Sequence, residues 1–324
     1  VSAVLAVEDL SVAVNRYGEE HVVVDGVWFS VAEGEALAIV GESGSGKSLM
    51  ALGAVDLLPP GARVTGGTTR LKGEALGELE EADWRHLVGI GVGVLLQDAI
   101  GSWDPLDFIG PQSGEVLEEH ETLTDEEIRR RVEEALGEVR LPSRRLFGAL
   151  PSEMSRGQAQ RAMLAATLLS GPSVLIADEP LNGLDVTVAR SVLSLIDDLR
   201  TKRGMALILV THDMGVVASV ADRVLVVYGG MIVEEAPVGP LYRSPQHPYT
   251  SGLLRSIPGL APGQLEPIVG DVPEIFDLPD GCPFAPRCRF AIDACRERRP
   301  EPWLVGDSLV ACVRAPDLDL PGIE

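Results

Sequence analysis

The run GESGSGKS at 41–48 sets Gly41, Gly44 and Gly46 ahead of a lysine and a serine. Glycines let backbone N–H groups turn inward around phosphate oxygens, and a helix that follows adds the positive end of its dipole. Lys47 supplies a point charge to the outer phosphates, and the Ser48 hydroxyl can ligate Mg²⁺. Ser43, Ser45 and Leu49 complete the expected cradle. A second run, VLIADEP at 174–180, leads four apolar residues, the last an alanine, into Asp178. At a strand end that carboxylate can hold the water shell of magnesium. Glu179 follows, placed to act on a water attacking the terminal phosphate as general base or orienting group. Alone, an apolar strand ending in Asp-Glu is usually just a strand end. Beside a phosphate-binding pattern it gains meaning.

Other chemistry-bearing residues inform only as a set. Gln97 stands in GVLLQDA, SRGQ occupies 155–158, Asp185 ends NGLD, and His212 follows an apolar run in LVTH. Singly they read as a solvated glutamine, a helix cap, a turn aspartate and a surface histidine. The four cysteines, Cys282, Cys288, Cys295 and Cys312, all lie near the C-terminal end, spaced C-x5-C-x6-C-x16-C. Four soft thiolates with proline-rich turns between them suit a four-coordinate metal site. Zinc ribbons use tighter pairs, whereas iron–sulfur clusters accept wider spans. Free thiols or disulfides are the remaining readings.

These residues need a scaffold. A chain of 324 residues can form two domains, or one large domain with an extension. Its 45% hydrophobic content and 35 glycines suit a well-packed α/β protein and argue against disorder. EALAIV, SVLIAD, MALILVTH and RVLVVYGG are continuous apolar runs, so the strands they form should be covered on both faces in a mostly parallel sheet. TDEEIRRRVEEALGEVRL at 124–141 predicts a helix with a Thr124/Glu127 capping box and Ile128, Val132, Leu136 and Val139 on one face. A second helix is expected over roughly 156–169. Beyond 235 periodicity fades and prolines recur, which places a boundary near 236–245.

The formal charge of −22 repels phosphodiester backbones, so nucleic acid is not expected as a general partner. The opening residues lack the basic region of a secretory signal, and LVGIGVGVLLQ is too short to span a bilayer. A soluble, cytoplasmic protein is expected, in which a structural disulfide would be unusual.

Taken in order, the phosphate loop, Gln97, SRGQ, VLIADEP, GLD and TH resemble the ATP-binding-cassette (ABC) ATPases from about residue 5 to 235. The resemblance implies a P-loop α/β core with an antiparallel β subdomain and a helical subdomain about 98–170. The core would be residues 1–240, with a small loop-rich extension at 241–324. It also implies ATP and Mg²⁺ as ligands, with two ATPase subunits sandwiching two nucleotides. Gln97 would then sense Mg²⁺ and the attacking water. Asp185 would lie on the dimer interface, and His212 would contact the γ-phosphate. Ser155, Gly157 and Gln158 would face the partner's ATP. Tyr17 falls where relatives carry an aromatic that stacks on adenine; a hairpin tyrosine is the plainer reading.

The signature departs from the usual LSGGQ, with Arg156 in place of its first glycine. One expectation is therefore an asymmetric heterodimer, in which the site using this signature is slower; a tolerated variant is the other. RSPQHPYTSGLLRSIP at 243–258, followed by CPFAPRC, resembles the C-terminal extension of dipeptide and oligopeptide importer ATPases, with nickel importers as near relatives. That resemblance implies two membrane permease subunits, a peptide-binding protein as indirect partner, and a peripheral place on the cytoplasmic side of the membrane. It also implies a [4Fe–4S] cluster on the four cysteines, with zinc as the alternative. Rival readings are an importer for nickel or another solute, a soluble ABC ATPase, and a non-hydrolysing regulatory module.

Overall fold

The computed structural model describes residues 3–257 and 267–323; the first two residues of the expected 1–240 core, Pro258 at the end of RSPQHPYTSGLLRSIP, and Glu324 lie outside them. The chain begins with β1 (Ala3–Arg16), β2 (Glu19–Ala32), β3 (Ala36–Val40), α1 (Lys47–Gly53), β4 (Ala62–Leu71) and β5 (Glu74–Ala75). It continues with α2 (Glu81–Gly91), β6 (Val92–Leu95), α3 (Ile109–His120), α4 (Asp125–Glu138), α5 (Ser143–Phe147) and α6 (Arg156–Thr167). Then come β7 (Val174–Asp178), α7 (Val186–Arg203), β8 (Ala206–Thr211), α8 (Met214–Val220), β9 (Arg223–Tyr228) and β10 (Met231–Pro237). The last elements are α9 (Val238–Arg243), α10 (Pro248–Arg255), α11 (Ala294–Glu297), β11 (Trp303–Val305) and β12 (Ser308–Val310).

Two compact units, each discontinuous in sequence, divide the chain. The first comprises residues up to 5, 31–35 and 70–208. In it β6 runs parallel to β7, Val92 opposite Val174 and Leu95 opposite Ala177. All five residues of β7 are buried, as a doubly covered strand requires. The helices α3 to α6 fill 109–167. Helix α4 begins on the expected capping box: Thr124 Oγ1 accepts the Glu127 N–H, and Glu127 accepts the Thr124 N–H at 2.9 Å. Its buried face holds Ile128, Val132 and Leu136. Gly114 lets α3 approach it closely, since a β-carbon there would meet Ile128 Cγ2 at 2.6 Å.

The second unit comprises 6–30, 36–69 and 209 onwards. The hairpin β1–β2 turns at Tyr17–Gly18, where the Gly18 N–H donates to Asn15 Oδ1 at 3.1 Å. Strand β3 is buried throughout and runs parallel to β9, Ile39 opposite Leu225. Strand β10 returns antiparallel to β9 and pairs antiparallel with β12, Glu234 opposite Val310. The tail therefore extends the sheet with the hairpin β11–β12, which the loss of helical periodicity concealed. The signal for it was a Gly-Asp pair between the apolar runs WLV and SLV. Nor is the tail short of a core. Tyr249, Leu254, Phe284 and Ile323 share one buried cluster with Ala38, Val40, Val226 and Tyr228. The tail thus shares the apolar interior of the strand feeding 41–48.

Candidate functional site

In the second unit β3 delivers the chain into Gly41, and α1 starts at Lys47 with Gly46 as N-cap at φ 95°. Only glycine takes that backbone without strain. Gly41 is required for space: a β-carbon there would collide with the Val227 carbonyl oxygen and stand 2.9 Å from Ser45 Oγ. Lys47 is buried, and its ammonium donates to the carbonyls of Gly41 and Glu42, both at 2.9 Å. The Ser45 carbonyl accepts the Gly230 N–H at 2.9 Å, which fastens the loop to the β9–β10 turn. Ser45 Oγ is buried without a hydrogen-bond partner. An orphaned hydroxyl of this kind costs about 1–3 kcal/mol until an acceptor reaches it, and a phosphate oxygen is such an acceptor. Ser48 and Leu49 are half-buried in the first turn of α1, and Ser43 and Gly44 are exposed at the loop's crest.

His212 is exposed immediately after β8; the neighbouring Thr211 Oγ1 accepts the Asp213 N–H at 3.1 Å. Asp213 in turn caps α8 through the N–H groups of Gly215 and Val216. Tyr17 sits at the hairpin tip, 95% exposed, with the Arg16 guanidinium 5.5 Å from its ring centre. It takes φ 54° as the turn demands, and its ring faces solvent.

The remaining predicted site residues belong to the first unit. Gln97 is exposed two positions beyond the end of β6. Asp178 ends β7, buried. Glu179, half-buried, has φ 46°. A glutamate in the left-handed region carries about 1–3 kcal/mol of strain, which the surrounding packing must hold. Ser155 and Gln158 form a capping box at the start of α6: Ser155 Oγ accepts the Gln158 N–H at 3.3 Å, and Gln158 Oε1 accepts the Ser155 N–H at 2.9 Å. Gly157 packs against α7, where a β-carbon would meet Val188 Cγ1 at 2.6 Å. Arg156 leans the same way and donates to the Gly183 carbonyl at 3.5 Å. Asp185 is the N-cap of α7, accepting the N–H groups of Thr187 and Val188 at 3.1 and 3.0 Å. The signature and the Asp185 loop, 27 residues apart at the Arg156–Gly183 contact, are thus brought together.

All four cysteines are free thiols, and all four line one cavity of about 20 Å³ with His247, Phe284, Phe290 and Arg314. Cys282 donates its backbone N–H to the Cys295 carbonyl at 2.8 Å, and the Trp303 indole donates to the Cys312 carbonyl at 3.1 Å. Burial pushes the Cys282 thiol up to about 12 and the Cys312 thiol to about 11, and raises Cys288. Deprotonating them would require a compensating cation. Among the described residues, no three His, Cys, Asp or Glu side chains stand in an arrangement that could hold a metal ion. The metal readings therefore rest on donor type and the shared cavity.

Comparison with known proteins bears on both units. Residues 24–182 match the family described as ABC transporter, and 233–295 match the oligopeptide/dipeptide transporter C-terminal region. A peptide-import ATP-binding relative of Brucella ovis is 40% identical over 315 residues, covering 92% of each chain. The dipeptide transport ATP-binding protein DppD of Haemophilus influenzae is 39% identical over 313 residues, covering 96% of this chain and 95% of its own. Among solved structures, the ATP-binding cassette MJ0796 in a dimeric post-hydrolysis state bound to ADP and Pi superposes with a TM-score of 0.65. It covers 72% of this chain and 98% of its own at 24% identity, a likeness that bears on fold alone.

Proposed function

The chain belongs to the ATP-binding proteins of ABC transporters, of the oligopeptide and dipeptide type, and from that premise we propose that it hydrolyses ATP to drive an importer of di- or oligopeptides. One observation carries the reading: a single chain joins the ABC match at 24–182 to the peptide-transporter match at 233–295. The ATPase domain ends near residue 240, where the extension begins. A second ATPase subunit and two permeases complete the assembly, and a peptide-binding protein delivers cargo to it. The chain takes a peripheral place on the cytoplasmic side of the membrane, held there by the permeases; no helix among the described residues is long and apolar enough to cross a membrane.

In this reading backbone N–H groups of 41–48 and the Lys47 ammonium hold the triphosphate, and Ser45 Oγ donates to a phosphate oxygen. Ser48, Asp178 and Gln97 offer hard oxygen donors, a set that suits Mg²⁺ held directly or through water. Bound there, Mg²⁺ neutralises charge on the terminal phosphates. Glu179 orients or deprotonates the attacking water, His212 contacts the γ-phosphate, and Tyr17 stacks on adenine. Ser155, Gly157 and Gln158 address the partner's nucleotide across the interface on which Asp185 lies. Little covalent chemistry is asked of the protein; positioning and charge carry the rate. The test is ATPase turnover of the complete transporter in vesicles with peptide. Glu179→Gln and Lys47→Ala should each remove turnover by a hundredfold or more, and retained turnover in both would end the proposal.

Cys282, Cys288, Cys295 and Cys312 would hold an iron–sulfur cluster, or zinc in the alternative. Their soft donors on one cavity support this, and binding would require the four thiols to draw together from their present spacing. When bound, such a group cross-links four points of the tail. Iron and acid-labile sulfide in anaerobically purified protein test it; stoichiometric zinc would select the alternative, and metal-free thiols would dismiss both.

A further inference from the structure

The segment between Cys282 and Cys288 reaches the loop at 41–48. Arg287 meets the Glu42 carboxylate with both arms of its guanidinium, Nη1 to Oε2 at 2.6 Å and Nη2 to Oε1 at 3.0 Å. The arginine side chain is only 6% exposed and the glutamate 25%. Nη1 also donates to the Tyr228 hydroxyl at 3.3 Å, and the guanidinium carbon stands 5.9 Å from that ring's centre. From the other side, the backbone N–H of Glu42 donates to the hydroxyl of Tyr249 at 2.8 Å. Tyr249 is fully buried, its ring centre 4.7 Å from that of Tyr228 and 5.3 Å from that of Phe284. The Glu42 carbonyl, meanwhile, accepts the Lys47 ammonium at 2.9 Å and the Ser45 N–H at 3.3 Å.

Every polar group of Glu42 is thereby engaged. Its carboxylate and N–H are held by the tail, while its carbonyl holds Lys47 and Ser45. We propose that Arg287 and Tyr249 are positioning residues for the phosphate loop, fixing Glu42 so that the turn and the Lys47 ammonium are preset for a triphosphate. The proposal rests on reading 41–48 as the phosphate-binding loop. A bidentate arginine–carboxylate pair fixes orientation as well as distance, which a lysine cannot reproduce. Nucleotide then binds without first ordering the loop, and the saving appears as affinity.

The experiment uses the full-length chain and a fluorescent trinitrophenyl derivative of ATP, read as Kd, with the nucleotide-free thermal midpoint and thiol and metal content in parallel. Arg287→Gln and Tyr249→Phe should each weaken binding about tenfold at unchanged thiol and metal content, and Arg287→Lys should recover only part of the loss. Glu42→Gln combined with Arg287→Gln should bind no worse than either alone, since both remove one interaction. Lys47→Ala separates the underlying reading from the proposal. If Lys47→Ala abolishes binding while Arg287→Gln and Tyr249→Phe stay within twofold of the parent, the tail merely anchors itself there and the proposal is wrong. If Lys47→Ala itself binds normally, the phosphate-loop reading fails and the proposal with it. Should Arg287→Gln not fold, Tyr249→Phe, which removes one oxygen, decides the matter.

Discussion

Glu234 Oε2 accepts the backbone N–H of His247 at 2.8 Å, while Oε1 accepts that of Gln246 at the same distance. The carboxylate belongs to β10 and is wholly buried; His247 is the N-cap of α10, its Nδ1 accepting the Tyr249 N–H at 3.1 Å. Burial raises the Glu234 carboxyl above its ordinary range, against the pull of these two N–H donors. One strand residue thus satisfies the turn through which the chain enters its tail.

Removing that acceptor should be expensive. Glu234→Ala leaves the buried His247 N–H unpaired, at about 1–3 kcal/mol, and the part-buried Gln246 N–H at less. Glu234→Gln retains one acceptor oxygen and should lose about half as much. Urea denaturation measures both; equal losses would show that the acceptor is not what matters.

Two glycines of the 41–48 loop should respond differently to alanine. At Gly41 the new β-carbon collides with the Val227 carbonyl, so β3 and β9 must part or the loop must move. At Gly44 nothing lies within 4 Å, and the cost is only that of φ 81°, about 1–2 kcal/mol. Thermal midpoints should fall much further for Gly41→Ala; the reverse order would refute the packing argument.

Arg156 makes an exposed contact with Gly183 and opens α6, so Arg156→Gly should cost no more than about 1 kcal/mol, mostly the backbone freedom of glycine in a helix's first turn. Its effect belongs to turnover. If this signature forms the slower of two unequal sites, Glu179→Gln here should depress the transporter's ATPase far more than the matching change in its partner subunit. Equal losses would mean equivalent sites.

Glu138, at the end of α4, bonds Lys202 at 3.0 Å and Arg203 at 2.6 Å. The Lys202 hydrogen bond, aided by Arg203, holds its carboxyl below the usual range. The native state therefore binds fewer protons here than the unfolded chain. The stabilisation is present above the ordinary glutamate value and disappears as pH falls through the native one. Since the groups are partly exposed, Glu138→Gln should cost under about 1 kcal/mol at pH 7 in low salt, less in high salt. Unfolding at pH 7 and pH 3 checks the sign: a loss as large in acid as at neutrality would contradict it.

Contiguous residues were enough to read the glycine turn at 41–46 leading into α1, the Thr124/Glu127 cap, the buried strand ending in Asp178 and the helix start at Ser155. Each is a local pattern, and backbone geometry within a few residues dictates it. Order along the chain then sufficed for the family, because six short motifs recur in one sequence. Tertiary structure decided the rest. Glu42 and Arg287 stand 245 positions apart, and no periodicity links them. Likewise, β12 joins β10 and Tyr249 enters the core of β3 only because folding buries the tail's scattered apolar residues against strands far upstream. Spacing supplied four thiols, but only the packing of the loops around Phe284 and Phe290 turns them toward one cavity. Local rules act through backbone dihedrals and short-range hydrogen bonds, whereas these pairings follow from burying surface, which depends on what else has already folded beside it.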